Sequence, residues 1–184
     1  MKTNAQFILI AVALFFMQPA FAQTPDVKAS SQLKSLLKLK GHWESPGATL
    51  QADGKRYSFT YYADFESIAD NTGLSMHEWC DIPDMGKLNG ANLIGVDAQD
   101  GKVHWFTVDN MGTTHEHIGE FADDKHFSMV NNSMHDGKSY VETVSLEFDG
   151  ADRMKLKVLS TLDGKEASVI TGDFLRKQGK GQHN

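Results

Sequence analysis

Val103-His104-Trp105-Phe106-Thr107-Val108-Asp109-Asn110-Met111-Gly112-Thr113-Thr114-His115-Glu116-His117-Ile118-Gly119-Glu120-Phe121 is the stretch on which the reading of this sequence turns. It reads as two β-strands joined by a tight Asn-Met-Gly turn. In the second strand Glu116 and Glu120 share one face, and His115, His117, Gly119 and Phe121 share the other. With the glutamates in water, both imidazoles point toward a protein interior. His104, Asp109 and Asn110 complete the densest group of ligand-capable side chains in the chain.

The same pattern runs outward in both directions. Asp-Gly occurs at 53–54, 100–101, 136–137, 149–150 and 163–164, and this pair supports the positive φ angles of tight hairpins. Between these marks, apolar residues alternate with polar ones. Tyr57, Phe59, Tyr61, Ala63 and Phe65 interleave with Ser58, Thr60, Tyr62 and Asp64, and Tyr140, Val144, Leu146 and Phe148 interleave with Ser139, Thr143, Ser145 and Glu147. Each run is a strand with one buried face. About ten strands are predicted, near 40–46, 55–69, 72–80, 90–97, 102–110, 113–121, 125–133, 139–149, 153–161 and 165–177. So long an antiparallel meander closes on itself to avoid a bare edge, which makes the expected fold an all-β, up-and-down barrel. The longest gap, Asp81 to Asn89, reads as a crossover or as a lid over a barrel mouth. Ahead of the strands, Ser30 or Ser31 caps a short helix with Leu33, Leu36 and Leu37 on one face.

The N-terminus reads as an address. Met1-Lys2 precedes an apolar run from Phe7 to Met17, and Ala20-Phe21-Ala22 offers a small-x-small cleavage pattern. Residues 1–22 are therefore predicted to be a signal peptide, and the product periplasmic or secreted. The apolar run is too short to remain as a transmembrane helix, so no stable membrane insertion is expected after cleavage. A polar leader over 23–32, a barrel domain over 33–178 and a disordered tail over 179–184 follow. Cutting 22 residues from 184 leaves 162, enough for one domain with a real core. Loss of Lys2 takes the net charge from −6 to −7. A moderately acidic chain without a basic block argues against nucleic-acid and anionic-membrane partners. The single cysteine, Cys80, forms no internal disulfide and reads as a buried small hydrophobe.

Gly41-His42-Trp43 at the start of the first strand and Phe174-Leu175-Arg176 near the end of the last resemble the Gly-x-Trp signature of the calycins, which include lipocalins, fatty-acid-binding proteins and nitrobindin-like barrels. That resemblance implies that Trp43 and Arg176, with Gly41, close one end of the barrel, the guanidinium stacked on the indole. Met76-His77-Glu78-Trp79, Lys87-Leu88-Asn89-Gly90 and the stretch from His104 to His117 further resemble an exported bacterial calycin-like family classed as a domain of unknown function. The resemblance spans about residues 33–177 and implies ten antiparallel strands around a central cavity. It brings no reaction and no catalytic residue.

Three chemistries follow from the residues. An interior of aromatic walls with a few inward polar groups is a small-molecule site, with His77, Asn110, His115 and His117 as polar contacts and Trp79 and Trp105 as stacking walls. A ten-stranded barrel is also wider than the eight-stranded kind whose interior side chains just fill it. His-x-His at 115 and 117 can place two imidazoles on a zinc or copper ion, with His77, Glu78, His104 or Asp109 as third ligand. Haem held by one interior histidine is the form of this reading that the nitrobindin resemblance implies. A hydrolase or isomerase would use His77 or His117 as base with Glu78 or Asp109 orienting it. Against catalysis stands the absence of a Gly-x-Ser-x-Gly elbow, a phosphate loop, a dinucleotide fingerprint and His-Glu-x-x-His. The sequence thus favours a barrel that holds a partly apolar small molecule and requires no cofactor.

Overall fold

From Gly41 to Lys177 the chain is strand after strand: β1 (Gly41–Ala52), β2 (Lys55–Ile68), β3 (Gly73–Ile82), β4 (Gly86–Val96), β5 (Val103–Asp109), β6 (Thr114–Phe121), β7 (His126–His135), β8 (Lys138–Phe148), β9 (Arg153–Leu162) and β10 (Lys165–Lys177). A helix, α1 (Val27–Leu36), and a 3-10 turn over Leu37–Leu39 precede them. The computed structural model describes residues 27–177. The expected signal peptide over 1–22, the first part of the expected leader (23–26) and the expected tail over 179–184 lie outside the described residues.

All ten strands form one closed antiparallel barrel in the order β1-β10-β9-β8-β7-β6-β5-β4-β3-β2. Every strand pairs with its chain neighbours, and β1 seals against β10, with Trp43 opposite Arg176 and Leu50 opposite Ile170. No edge is left to template aggregation. The turns show why the sequence folds this way. Asp53-Gly54, Asp136-Gly137 and Asp163-Gly164 carry positive φ on both residues, 51° and 72°, 48° and 77°, 49° and 74°. This is the two-residue turn whose twist matches that of the flanking strands.

Two expectations are corrected. The first strand runs to Ala52 rather than stopping near residue 46, because a bulge between Ser45 and Ala48 absorbs Pro46 and Gly47. The bulge shifts the alternation by one residue, so that Trp43 and Ser45 before it, and Ala48 and Leu50 after it, are all buried. The stretch from Asp81 to Asn89 is neither crossover nor lid. Strand pairing continues to Ile82 opposite Gly86, and Met85 N–H closes the turn on Ile82 O at 3.0 Å.

The barrel is filled at one end only. Leu74, Ile94, Val103, Phe127 and Phe148 are buried near the end that holds the β2–β3, β4–β5, β6–β7 and β8–β9 turns. There Phe121 packs on Phe127 at 4.6 Å between ring centroids, and Trp105 meets Phe65 edge-on at 5.9 Å. Gly119 lets β6 and β7 cross closely, since a Cβ there would lie 2.1 Å from Ser128 O.

Helix α1 lies over this end. It is already helical at Val27, ahead of the expected cap, and Ser31 Oγ donates back to Lys28 O from inside the helix. Its buried face is Ala29, Gln32, Ser35 and Leu36, so the expected leucine stripe is kept at Leu36, with Leu37 packed on the core, and is joined by Gln32, which replaces a strand partner. Its amide donates to Phe121 O at 2.9 Å and accepts from Phe121 N–H at 2.7 Å. Lys28–Glu120 and Lys38–Asp124 ion pairs tether the same segment from outside. No helix among the described residues is long and apolar enough to cross a membrane.

Candidate functional site

The other half of the barrel encloses a cavity of about 690 Å³, open between the β5–β6 and β7–β8 turns. One wall is apolar: Leu156 and Val158 of β9, Ile170 and Phe174 of β10 and Ala63 of β2. The facing arc, from β2 around through β9, carries the polar side chains, set among Met76, Leu88, Met129 and Val144. Trp105, with the rings packed about it, lies at the floor.

The first half of the arc is one hydrogen-bonded network. Asn92 is buried, and its Oδ1 accepts from Trp105 Nε1 at 2.9 Å and from Thr107 Oγ1 at 2.6 Å. Its Nδ2 donates to Glu78 Oε1 at 3.1 Å and Met76 O at 3.4 Å. Tyr61 donates its hydroxyl to Glu78 Oε2. Burial and the neighbouring Glu78 carboxylate push the Tyr61 phenol well above its ordinary range, so it stays a donor. Gly90 makes room for this network, since a Cβ there would stand 2.7 Å from Glu78 Oε1 and 2.9 Å from its Cγ.

The second half centres on Glu142. Its Oε1 lies 3.1 Å from His117 Nε2, while Oε2 accepts from Tyr140 Oη at 2.7 Å and Ser160 Oγ at 2.9 Å. Burial alone would raise this carboxyl, but the bonds from His117, Tyr140 and Ser160 outweigh it and hold Glu142 at about 2. Tyr140, desolvated beside that anion, is pushed up to about 12. His117 is only 3% exposed, and its Nδ1 finds no hydrogen-bond partner among the described residues. His115 lines the cavity next to it, the two rings 5.0 Å apart and nearly perpendicular. The two halves meet across β5 and β6, where Trp105 lies opposite His117 and Thr107 opposite His115.

No family model and no curated protein sequence matches the chain. Solved structures do match, seven chains in all. Rv2717c from M. tuberculosis superposes with a TM-score of 0.59 over 80% of this chain and 98% of that one, at 13% identity. The S-type phycobiliprotein lyase CPES from Guillardia theta superposes with a TM-score of 0.57 over 86% of this chain and 99% of that one, at 10% identity. The fold is calycin-like. At these identities the likeness carries the fold and nothing finer.

Within this calycin-like barrel the residues singled out from sequence fall into three places. Trp105, His115 and His117 line the cavity. Gly41, Trp43 and Arg176 lie at the filled end. The Arg176 guanidinium stands 4.3 Å over the fully buried Trp43 ring, which donates to Leu39 O at 2.6 Å. Arg176 also donates to Lys40 O, to Lys38 O at 2.6 Å and twice to Ala151 O, tying the chain before β1 to the β8–β9 turn. A Cβ on Gly41, whose φ is +126°, would press on that guanidinium at 3.1 Å.

His77, Trp79 and Asn110 are elsewhere, and as interior ligand contacts they are corrected. The register of β2 on β3 sets Trp79 opposite Tyr62 and His77 opposite Asp64, on the outer face. There Trp79 stacks on Tyr62 at 5.0 Å, on His77 at 5.0 Å and on His42 at 6.0 Å. Glu78 takes the inward position instead. Asn110 staples a turn: its Oδ1 accepts from Asn89 N–H at 2.8 Å and its Nδ2 donates to Lys87 O at 2.9 Å. Asp109 does line the cavity, at its mouth, where its carboxylate accepts from Met111 N–H at 2.8 Å and Thr113 N–H at 3.1 Å. His104 sits outside with Glu116 at 2.8 Å and Asp100 at 3.2 Å.

The sequence reading did not single out Asn92, Tyr61, Glu142 or Ser160 as site residues. For two of them a signal was present. Glu142 is in phase with Tyr140, Val144 and Leu146, and Asn92 with Gly90 and Ile94, so each is a polar residue on a strand's inner face. The cavity joins an apolar surface to a fixed acid, two imidazoles and hydroxyl donors. That combination can seat a small amphiphile, coordinate a cation or move a proton between His117 and Glu142.

Proposed function

We propose that this chain is an exported binding protein that holds one small, partly apolar molecule in the barrel. The observation that carries the reading is the cavity of about 690 Å³ with Leu156, Val158 and Ile170 on one side and a polar arc on the other. That volume falls in the range of drug-sized ligand pockets, and a mainly apolar lining with a few placed polar groups is their usual chemistry. The apolar body of the ligand lies against β9 and β10. Its polar end meets His115, Thr107 and the Glu142 cluster, with Trp105 beneath.

The test is titration with Nile red, an apolar dye whose emission rises on leaving water. One saturable site is expected, with a gain in thermal stability, since binding only the native state raises its apparent stability. Val158→Trp or Ile170→Phe fills the apolar side and removes the site while leaving the circular dichroism of the barrel unchanged. Dye binding that persists unchanged in both filled variants refutes the reading, as does no binding at all. Export is tested separately: N-terminal sequencing of the product made in a bacterial host is expected to begin at Gln23, in the periplasmic fraction.

A further inference from the structure

His115 and His117 are two residues apart on β6 and both line the cavity or are buried beside it. Glu142, two strands away on β8, brings Oε1 to 3.1 Å from His117 Nε2. One donor atom from each of the three lies within 4.8 Å of the other two. A tetrahedral zinc ion with bonds of about 2.0–2.2 Å holds its ligand atoms roughly 3.3–3.6 Å apart. The His117–Glu142 pair already stands close to that spacing. His115, at the half-buried edge of the group, closes the remainder by rotating its side chain.

We propose that His115, His117 and Glu142 are three ligands of a site for one divalent transition-metal ion, zinc above all, with a fourth position facing the cavity. Two features beyond proximity support this. The donor set of two imidazoles and one carboxylate suits zinc, whereas magnesium and calcium take oxygen ligands. Glu142 is oriented from behind: Tyr140 and Ser160 hold Oε2, leaving Oε1 toward the imidazoles, as the outer partners of a metal-binding carboxylate do. Three protein ligands with an open fourth position is the arrangement of zinc sites that bind water or a small molecule directly. A second three-residue cluster among the described residues, Asp97, Asp100 and His104, has both aspartates exposed on the outside of the barrel and serves as a control.

This inference rests on the residues of the polar arc and not on an organic molecule occupying the cavity, so it stands or falls apart from the Nile red test. Untagged, chelator-stripped protein is dialysed against zinc and the metal is counted. One equivalent is expected, with a rise in melting temperature. Cobalt(II) in place of zinc gives the intense visible bands of a four-coordinate ion. His115→Ala, Glu142→Gln and His117→Ala each weaken zinc binding at least tenfold, Tyr140→Phe weakens it about tenfold through the outer partner, and His104→Ala leaves it unchanged. His115 is half-buried and outside the hydrogen-bonded Glu142 cluster, so its variant is informative even where His117→Ala fails to fold. No bound zinc, or stoichiometric zinc of unchanged affinity in folded His115→Ala and Glu142→Gln, overturns the proposal.

Discussion

Glu142 gives the sharpest prediction about stability. The three groups around it hold its folded-state value at about 2 against an ordinary 4.5, burial notwithstanding. A carboxyl that binds its proton less readily when folded stabilises the folded protein fully above about pH 4.5. That contribution is lost as pH falls through the folded value. At about 1.4 kcal/mol per pH unit, the whole gap is about 3 kcal/mol, and most of it, about 2–3 kcal/mol, falls between pH 5 and pH 2.5. Urea unfolding of wild type and Glu142→Gln at these two pH values isolates it. The exposed carboxylates that also titrate low, such as Asp123 beside His126, are present in both proteins and cancel in the difference. Wild type is expected to lose about 2–3 kcal/mol more than the variant over that interval. Equal losses would falsify the claim that the His117–Tyr140–Ser160 cluster holds an anion.

Three further perturbations follow from the geometry. Arg176→Lys keeps the charge but cannot span Lys38 O, Lys40 O and Ala151 O together, so a loss of about 1–3 kcal/mol is expected in urea unfolding; an unchanged midpoint rules out the closure role. Cys80 is buried and its thiol is pushed up to about 12 by desolvation and the Glu78 carboxylate, so it should resist a thiol reagent at neutral pH in the folded protein and react promptly in urea; rapid labelling of folded protein contradicts this. Gly119→Ala places a Cβ 2.1 Å from Ser128 O, a backbone atom that cannot step aside, so the variant should be insoluble or lack cooperative unfolding; a stable, soluble variant would show that β6 and β7 are not so closely apposed.

The strands were legible because their signals are local. Asp-Gly turns and period-two alternation place ten strands, and ten-strand closure follows from the cost of a bare edge. What was not legible is which face of β3 points inward. His77 and Trp79 occupy one face, Glu78 and Cys80 the other, and hydrophobicity alone favours turning Trp79 inward. The decision is made by pairing with β2, where Tyr61 meets Cys80 and Tyr62 meets Trp79, a register contact that no local pattern records. The outer aromatics then find burial in one another, as the stack of His77, Trp79, Tyr62 and His42 shows. The buried face of the helix was obscured for a related reason. Gln32 is buried for its hydrogen bonds to Phe121, a partner 89 residues away.

The cavity is written in the sequence as an absence of bulk rather than as a motif. Every strand contributes inward residues at both ends of the barrel, and the two ends are furnished differently. Toward the helix the inward positions carry Trp43, Phe65, Phe121, Phe127 and Phe148, enough ring volume to fill the barrel and leave Trp105 as a floor. Above that floor β4, β5, β7 and β9 offer Gly90, Asn92, Thr107, Asn131 and Ser160, which are small or polar. Each buried polar atom there costs stability unless paired. A chain selected for stability alone would meet that cost most simply by placing leucine or phenylalanine at those positions and closing the space. Instead the polar atoms are satisfied by one another, in the Asn92 and Glu142 networks, and the space between them and the β9–β10 wall stays open. Hydrogen bonding that fixes side chains at the rim of a cavity, rather than packing that removes the cavity, is the physical signature of a site arranged to receive something.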